Sequence, residues 1–122
     1  MTLLDRIERL QQAECGSREL DEEIARLLGW TFTKMKGDAK PYWRKPGVTE
    51  WFRRSHEGPP HFTTSIDAAV TLFPPGRYWT VGTENGGWAW DGGGRNNPVY
   101  AKTPALAVCV AALMAREEAE RD

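Results

Sequence analysis

This 122-residue sequence has only two cysteines and two histidines, few residues for a thiol nucleophile or a sulfur- or nitrogen-ligated metal. Cys15 and Cys109 form no Cys-x-x-Cys pair and frame no disulfide scaffold, the pattern of a reducing compartment. His56 and His61 flank Gly58-Pro59-Pro60 with only Glu57 beside them; no further ligand completes a metal set, so they read as surface histidines. Long apolar runs are missing too. Met1 to Leu10 mixes Asp5, Arg6, Glu8 and Arg9 with its leucines, unlike a secretory leader, and no stretch reaches the length of a membrane span. Nor does one sign of charge prevail: 16 basic against 17 acidic residues leave −1, a weak long-range pull on a polyanion. A cytoplasmic protein is expected, away from membranes, with no catalytic residue, metal or cofactor.

What is present is enough for one core. A chain of this length fits a single domain, residues 1–122, and buries roughly two-thirds of its unfolded surface without a staple. Leu3, Ile7 and Leu10 recur at helical spacing and predict an amphipathic helix over 2–13, with Thr2 and Asp5 as a capping pair. Ser17 is positioned to cap a second helix over 18–28, whose core stripe is Leu20, Ile24, Leu27 and Leu28, with Gly29 as its left-handed stop. Glu19, Asp21, Glu22 and Glu23 read as a solvated face that favours the helix dipole, or alternatively as a mimic of nucleic-acid charge. Ser65 caps a third helix through about Phe73, ended by Pro74-Pro75-Gly76. Thr103-Pro104 opens the last helix, which is apolar nearly all round from Ala105 to Ala115 and therefore deeply buried. The charged run 116–122 reads as a solvated tail.

Between the third and last helices three strands are expected, over 77–83, 87–91 and 98–102. Asn85-Gly86 is the strongest short hairpin signal because both residues of such a turn need positive φ. A two-residue turn there pairs Val81 with Trp90 and places Trp79, Val81, Trp88 and Trp90 on one face. That bulky face is expected to pack on the last helix, making the tryptophans core. The Gly92-Gly93-Gly94 loop leads to Asn96-Asn97-Pro98 and a strand rather than into a helix N-terminus, so it reads as a connection and not a phosphate cradle. The resulting class is α+β: a small antiparallel three-stranded sheet sandwiched by helices, in the order α-α-loop-α-β-β-β-α.

Residues 31–60 break the regularity. With Pro41, Pro46, Gly47, Gly58, Pro59 and Pro60 they read as a long irregular insert holding one short strand or turn of helix. Within it Lys34, Lys36, Lys40, Arg44, Lys45, Arg53 and Arg54 are interleaved with Tyr42, Trp43, Trp51 and Phe52. Cations and stackable rings suit a protein partner or a single-stranded nucleic acid, and the rings also suit closure over the sheet. These residues are the candidate partner-binding surface.

Several motifs together are similar to a known family. Arg18-Glu19-Leu20-Asp21 with Ile24-Ala25 and Gly29-Trp30, then His61-Phe62-Thr63-Thr64-Ser65-Ile66-Asp67-Ala68-Ala69, then Pro75-Gly76 with Trp79 and Val81, and Thr103-Pro104-Ala105-Leu106-Ala107 with Cys109, Ala111, Ala112 and Leu113 resemble the phage ABA sandwich domain. That family comprises small proteins encoded by phages and prophages. The resemblance covers residues 1–30 and 61–115 and fails across 31–60. It implies helices on both faces of a small sheet and carries over no catalytic residue. The implied role is that of a phage or prophage accessory protein that binds a protein, such as an antagonist of host defence of the CRISPR-inhibitor kind; the alternative is a nucleic-acid-binding accessory protein. The helix–strand–strand–strand–helix order over 65–119 also matches double-stranded-RNA-binding domains. Those carry a lysine cluster where the last helix opens, whereas here only Lys102 adjoins Thr103-Pro104-Ala105-Leu106.

Overall fold

Capping side chains set where the helices begin. In the computed structural model, which describes residues 3–33, 42–44, 59–74, 76, 79–84, 86–91 and 98–121, α1 is Leu3–Gln12 and α2 is Arg18–Leu27. The Ser17 hydroxyl accepts the Leu20 N–H at 3.2 Å, satisfying one of the donors a helix start leaves open. At the other end of α2, Gly29 takes φ 95. Trp30 N–H then donates to Ala25 O and Gly29 N–H to Arg26 O, the Schellman closure that the glycine permits. Ser65 accepts from Ala68 N–H at 3.3 Å and starts α3 (Ile66–Val70). Thr103 accepts from Leu106 N–H at 3.2 Å, with Pro104 as the first residue of α4 (Pro104–Arg121). The expected caps Ser17, Ser65 and Thr103 are present; Thr2, the cap expected for the first helix, lies outside the described residues. The last helix outruns its expected end, continuing through the charged run to Arg121.

Two antiparallel sheets accompany the helices. Inside the region read as irregular, β1 (Thr31–Thr33) pairs with β2 (Tyr42–Arg44), Phe32 opposite Trp43; two strands stand where one strand or turn was expected. The main sheet has the order β3-β4-β5, with β3 Trp79–Gly82, β4 Gly87–Asp91 and β5 Val99–Ala101. The chain is thus α+β in the order read from the sequence. No helix of the described residues is long and apolar enough to cross a membrane.

The register of that sheet corrects the sequence reading. Val81 pairs with Ala89, Thr80 with Trp90 and Gly82 with Trp88, one step away from the pairing a two-residue Asn85-Gly86 turn would impose. The turn between Gly82 and Trp88 contains an odd number of residues, with Gly86 at φ 97. Such an odd, glycine-containing connection is the hairpin geometry next in frequency to the two-residue turn. Because side chains alternate, one step of register moves every β3 side chain to the other face relative to β4, so Trp79 and Val81 no longer share a face with Trp88 and Trp90. The face toward α4 is therefore the small one: Gly87, Ala89, Val99 and Ala101 are buried, with Val81 half-buried. The expected core tryptophans are not core. Trp88 and Trp90 project from the opposite face and are half-buried, and Trp79 is 42% exposed at its strand's start, stacked on Phe73 at 6.2 Å.

Small residues on the sheet suit small residues on the helix. From Ala105 to Leu113 every residue of α4 is buried, because α4 touches β3, β4 and β5 as well as α1 and α3. The seam is tight enough to require glycine. A Cβ on Gly87 would stand 2.4 Å from both Pro104 N and Thr103 C, well inside contact distance. Leu106, Val108, Val110 and Leu113 then supply burial worth about 1.5–3 kcal/mol each relative to exposure.

Candidate functional site

Two of the motifs singled out in the sequence, 17–21 and 61–65, meet inside the protein. Asp21 and Thr63 are both fully buried. Thr63 N–H donates to Asp21 Oδ1 at 2.7 Å, and the Thr63 hydroxyl approaches the same oxygen at 2.6 Å. Ser17 N–H donates to Thr63 Oγ1 at 2.9 Å. The outer carboxylate oxygen accepts Arg18 Nη1 at 2.8 Å, and Arg18 Nη2 reaches Pro59 O at 2.8 Å. Gly16 passes so close that a Cβ there would lie 2.0 Å from Thr63 O. Charge-assisted bonds of this kind are about twice as strong as neutral ones, and together they pin the stretch 59–63 to the start of α2.

Asp21 therefore leaves the acidic face that the sequence suggested. Glu23 is also committed, since its carboxylate pairs with Arg9 and its carbonyl accepts Arg6 Nη1 at 2.9 Å, tying α1 to α2. A continuous acidic face along α2, whether solvated or mimicking a nucleic acid, is not what these positions form. The signal was in the spacing: Asp21 stands three and four residues before Ile24 and Ala25, on the buried stripe of the helix.

Chemistry at this network is closed off by burial. Cys109, wholly inaccessible, donates its thiol to Phe62 O at 3.1 Å. Burial pushes its pKa well above the ordinary thiol range, and the negative charge of Asp21 pushes it further the same way. A thiol held protonated is no nucleophile. Cys15 is exposed and Cys109 buried, and both are free. Among the described residues no three His, Cys, Asp or Glu side chains gather to hold a metal ion. His61 is exposed; His56 and the Gly92-Gly93-Gly94 loop lie outside the described residues.

Among the described residues the outer face of the main sheet carries the aromatic surface. Alternation places Thr80, Gly82, Trp88, Trp90 and Tyr100 there. Tyr100 is 53% exposed. The Trp88 indole lies across Gly82, where a Cβ would come within 2.1 Å of the ring, so the cross-strand glycine makes room for a flat aromatic cover. None of the five side chains carries a charge. The sequence reading had buried Trp88 and Trp90 and set Thr80 and Gly82 on the opposite face; an odd-residue turn at Gly86 was the detail needed to bring them together.

Of the candidate partner-binding residues, Tyr42, Trp43 and Arg44 form β2, paired to β1. Lys34, Lys36, Lys40, Lys45, Trp51, Arg53 and Arg54 lie outside the described residues. Lys102, the one cation adjoining the start of α4, is ion-paired with Glu14. No family model, no curated protein and no solved structure matches the chain.

Proposed function

We propose that the chain is a non-enzymatic accessory protein of a phage or prophage, acting in the host cytoplasm by binding a protein partner through the outer face of its main sheet. The observation that carries this reading is the uncharged aromatic character of that face, Trp88, Trp90 and Tyr100 beside Thr80 and Gly82. Aromatic anchors with charge excluded from the centre are what protein interfaces enrich. A platform for nucleic-acid bases also uses rings but needs cations to track phosphates, and these five positions supply none. The basic and aromatic segment 34–54 is the second candidate contact with the same partner. Antagonism of a host defence system, such as CRISPR inhibition, is the role that the resemblance to phage-encoded domains supports.

The test compares the wild type with Tyr100→Arg and Trp90→Arg as baits in host lysate, with and without nuclease. Expected is a nuclease-resistant host protein, recovered in stoichiometric amount by the wild type and lost with either substitution. Titration with labelled single- and double-stranded oligonucleotides at physiological salt is the counterpart. Sub-micromolar binding that vanishes with added salt would replace the protein-partner reading with that of a nucleic-acid-binding accessory protein.

A further inference from the structure

In the second half of α4, Arg116 has an unusual setting. Its Nε donates to the Leu72 carbonyl, which fixes the guanidinium in place. Among the described residues neither η nitrogen has a hydrogen-bond or ion-pair partner. The side chain is half-buried and borders a cleft of about 350 Å³ whose walls are Leu28, Trp30, Phe62 and Leu72. Phe62 and Leu72 are core residues that present one edge to it. That volume lies within the range of small-ligand sites, roughly 300–1,000 Å³.

We infer that this cleft binds a small apolar carboxylic acid, its hydrocarbon body against Leu28, Trp30, Phe62 and Leu72 and its carboxylate on the free fork of Arg116. Charge complementarity sets the sign. A guanidinium with both η nitrogens open, over an apolar wall, offers two parallel donors to a carboxylate. Among the described residues no acidic side chain lines this cleft, whereas Glu117 borders the adjoining one beside Leu3 and Leu113; the anion is directed to the Trp30 side. The scarcity of other polar groups selects the body. The Thr71 hydroxyl, also in the lining, already donates to Ala68 O. A peptide would bring an amide to satisfy at every residue, and the cleft would leave those amides bare. One anionic head on a hydrocarbon body has no such deficit.

Octanoate and octanol, which differ only in the head group, serve as probes and need no variant. Titrated into the wild-type protein below their aggregation concentrations, followed by amide chemical shifts, octanoate is expected to shift residues around Trp30, Leu72 and Arg116. It should bind about tenfold more tightly than octanol, the size of one charge-assisted hydrogen bond. Arg116→Met should abolish that preference by weakening octanoate alone, and Arg116→Lys should retain part of it. Equal affinities of the two probes for the wild type, shifts confined to other surfaces, or no saturable binding of octanoate would each overturn the assignment. The readout is independent of the sheet face, so neither proposal's failure carries over to the other.

Discussion

The two faces of the three-stranded sheet are built from opposite materials. Toward α4 the strands present Gly87, Ala89, Val99 and Ala101; away from it they present Trp88, Trp90 and Tyr100. Large aromatics are the usual filling of a core, and small residues the usual surface tolerated by a neighbour. Here the assignment is reversed because α4 is itself rich in alanine and valine. Two low-relief surfaces approach closely, while the rings stand on the opposite face. The contrast teaches that side-chain size does not say which face of a sheet is core; the complementarity of the opposing element does.

The largest expected effect comes from breaking the sealed side. Gly87→Val drives a branched side chain into the backbone at Thr103 and Pro104, and we expect it to cost about 3 kcal/mol, the upper range for overpacking. The urea midpoint at unchanged slope measures it. A shift under about 0.5 kcal/mol, the ordinary spread for surface substitutions, would mean that α4 does not sit where this seam requires.

The next effect concerns the sealed thiol. Because the folded-state pKa of Cys109 is raised, its contribution to stability is fully present below the ordinary thiol value of 9.0. It is lost progressively as pH climbs above that value toward the folded one. The unfolded chain then binds fewer protons than the native one, so the free energy of unfolding falls, by at most about 1.4 kcal/mol per pH unit. Wild type should lose stability faster than Cys109→Ala as pH rises above about 9. In native protein a thiol reagent should modify Cys15 at once and Cys109 only at the rate of unfolding. Parallel pH profiles with rapid labelling of both thiols would contradict the burial described.

The smallest effect tests the open side. Trp88→Ala removes a ring that covers Gly82 but faces away from α4, and about 1 kcal/mol is expected, against about 3–5 kcal/mol for a tryptophan truncated in a core. A value in the core range would show that the outer face is occupied within the folded chain, and would sharpen the comparison into one between two interiors.

Much of the fold was legible because it is written locally. Ser17, Ser65 and Thr103 each announce a helix start, Gly29 a stop, and the even apolarity of 105–115 a helix with no wet side. The sheet's faces were not legible, since they depend on whether the connection around Gly86 holds an even or an odd number of residues. Propensity favours the two-residue reading of Asn-Gly, and tertiary packing at Gly87 overrides it. Asp21 was hidden for a different reason. Its neighbours Glu19, Glu22 and Glu23 make it look like one of a set, and only the arrival of Thr63 from far along the chain gives a buried carboxylate its donors. The aromatic surface followed from the register, so it was hidden with it. The free fork of Arg116 belongs to a residue placed, on composition, in a solvated tail.

The anchoring of 59–63 on α2 also bears on what lies between. Trp30 closes the end of α2, Pro59 is held by Arg18 at its start, and Trp30 and Pro60 border the same cleft. The two ends of residues 31–58 are thus brought together by groups that do not belong to that stretch. In polymer terms the ring is already closed, and lengthening a closed loop is inexpensive: each doubling adds only about 0.6 kcal/mol of closure entropy. By that arithmetic a change of length within the stretch is expected to add little closure cost to the fold that the clamp on α2 holds.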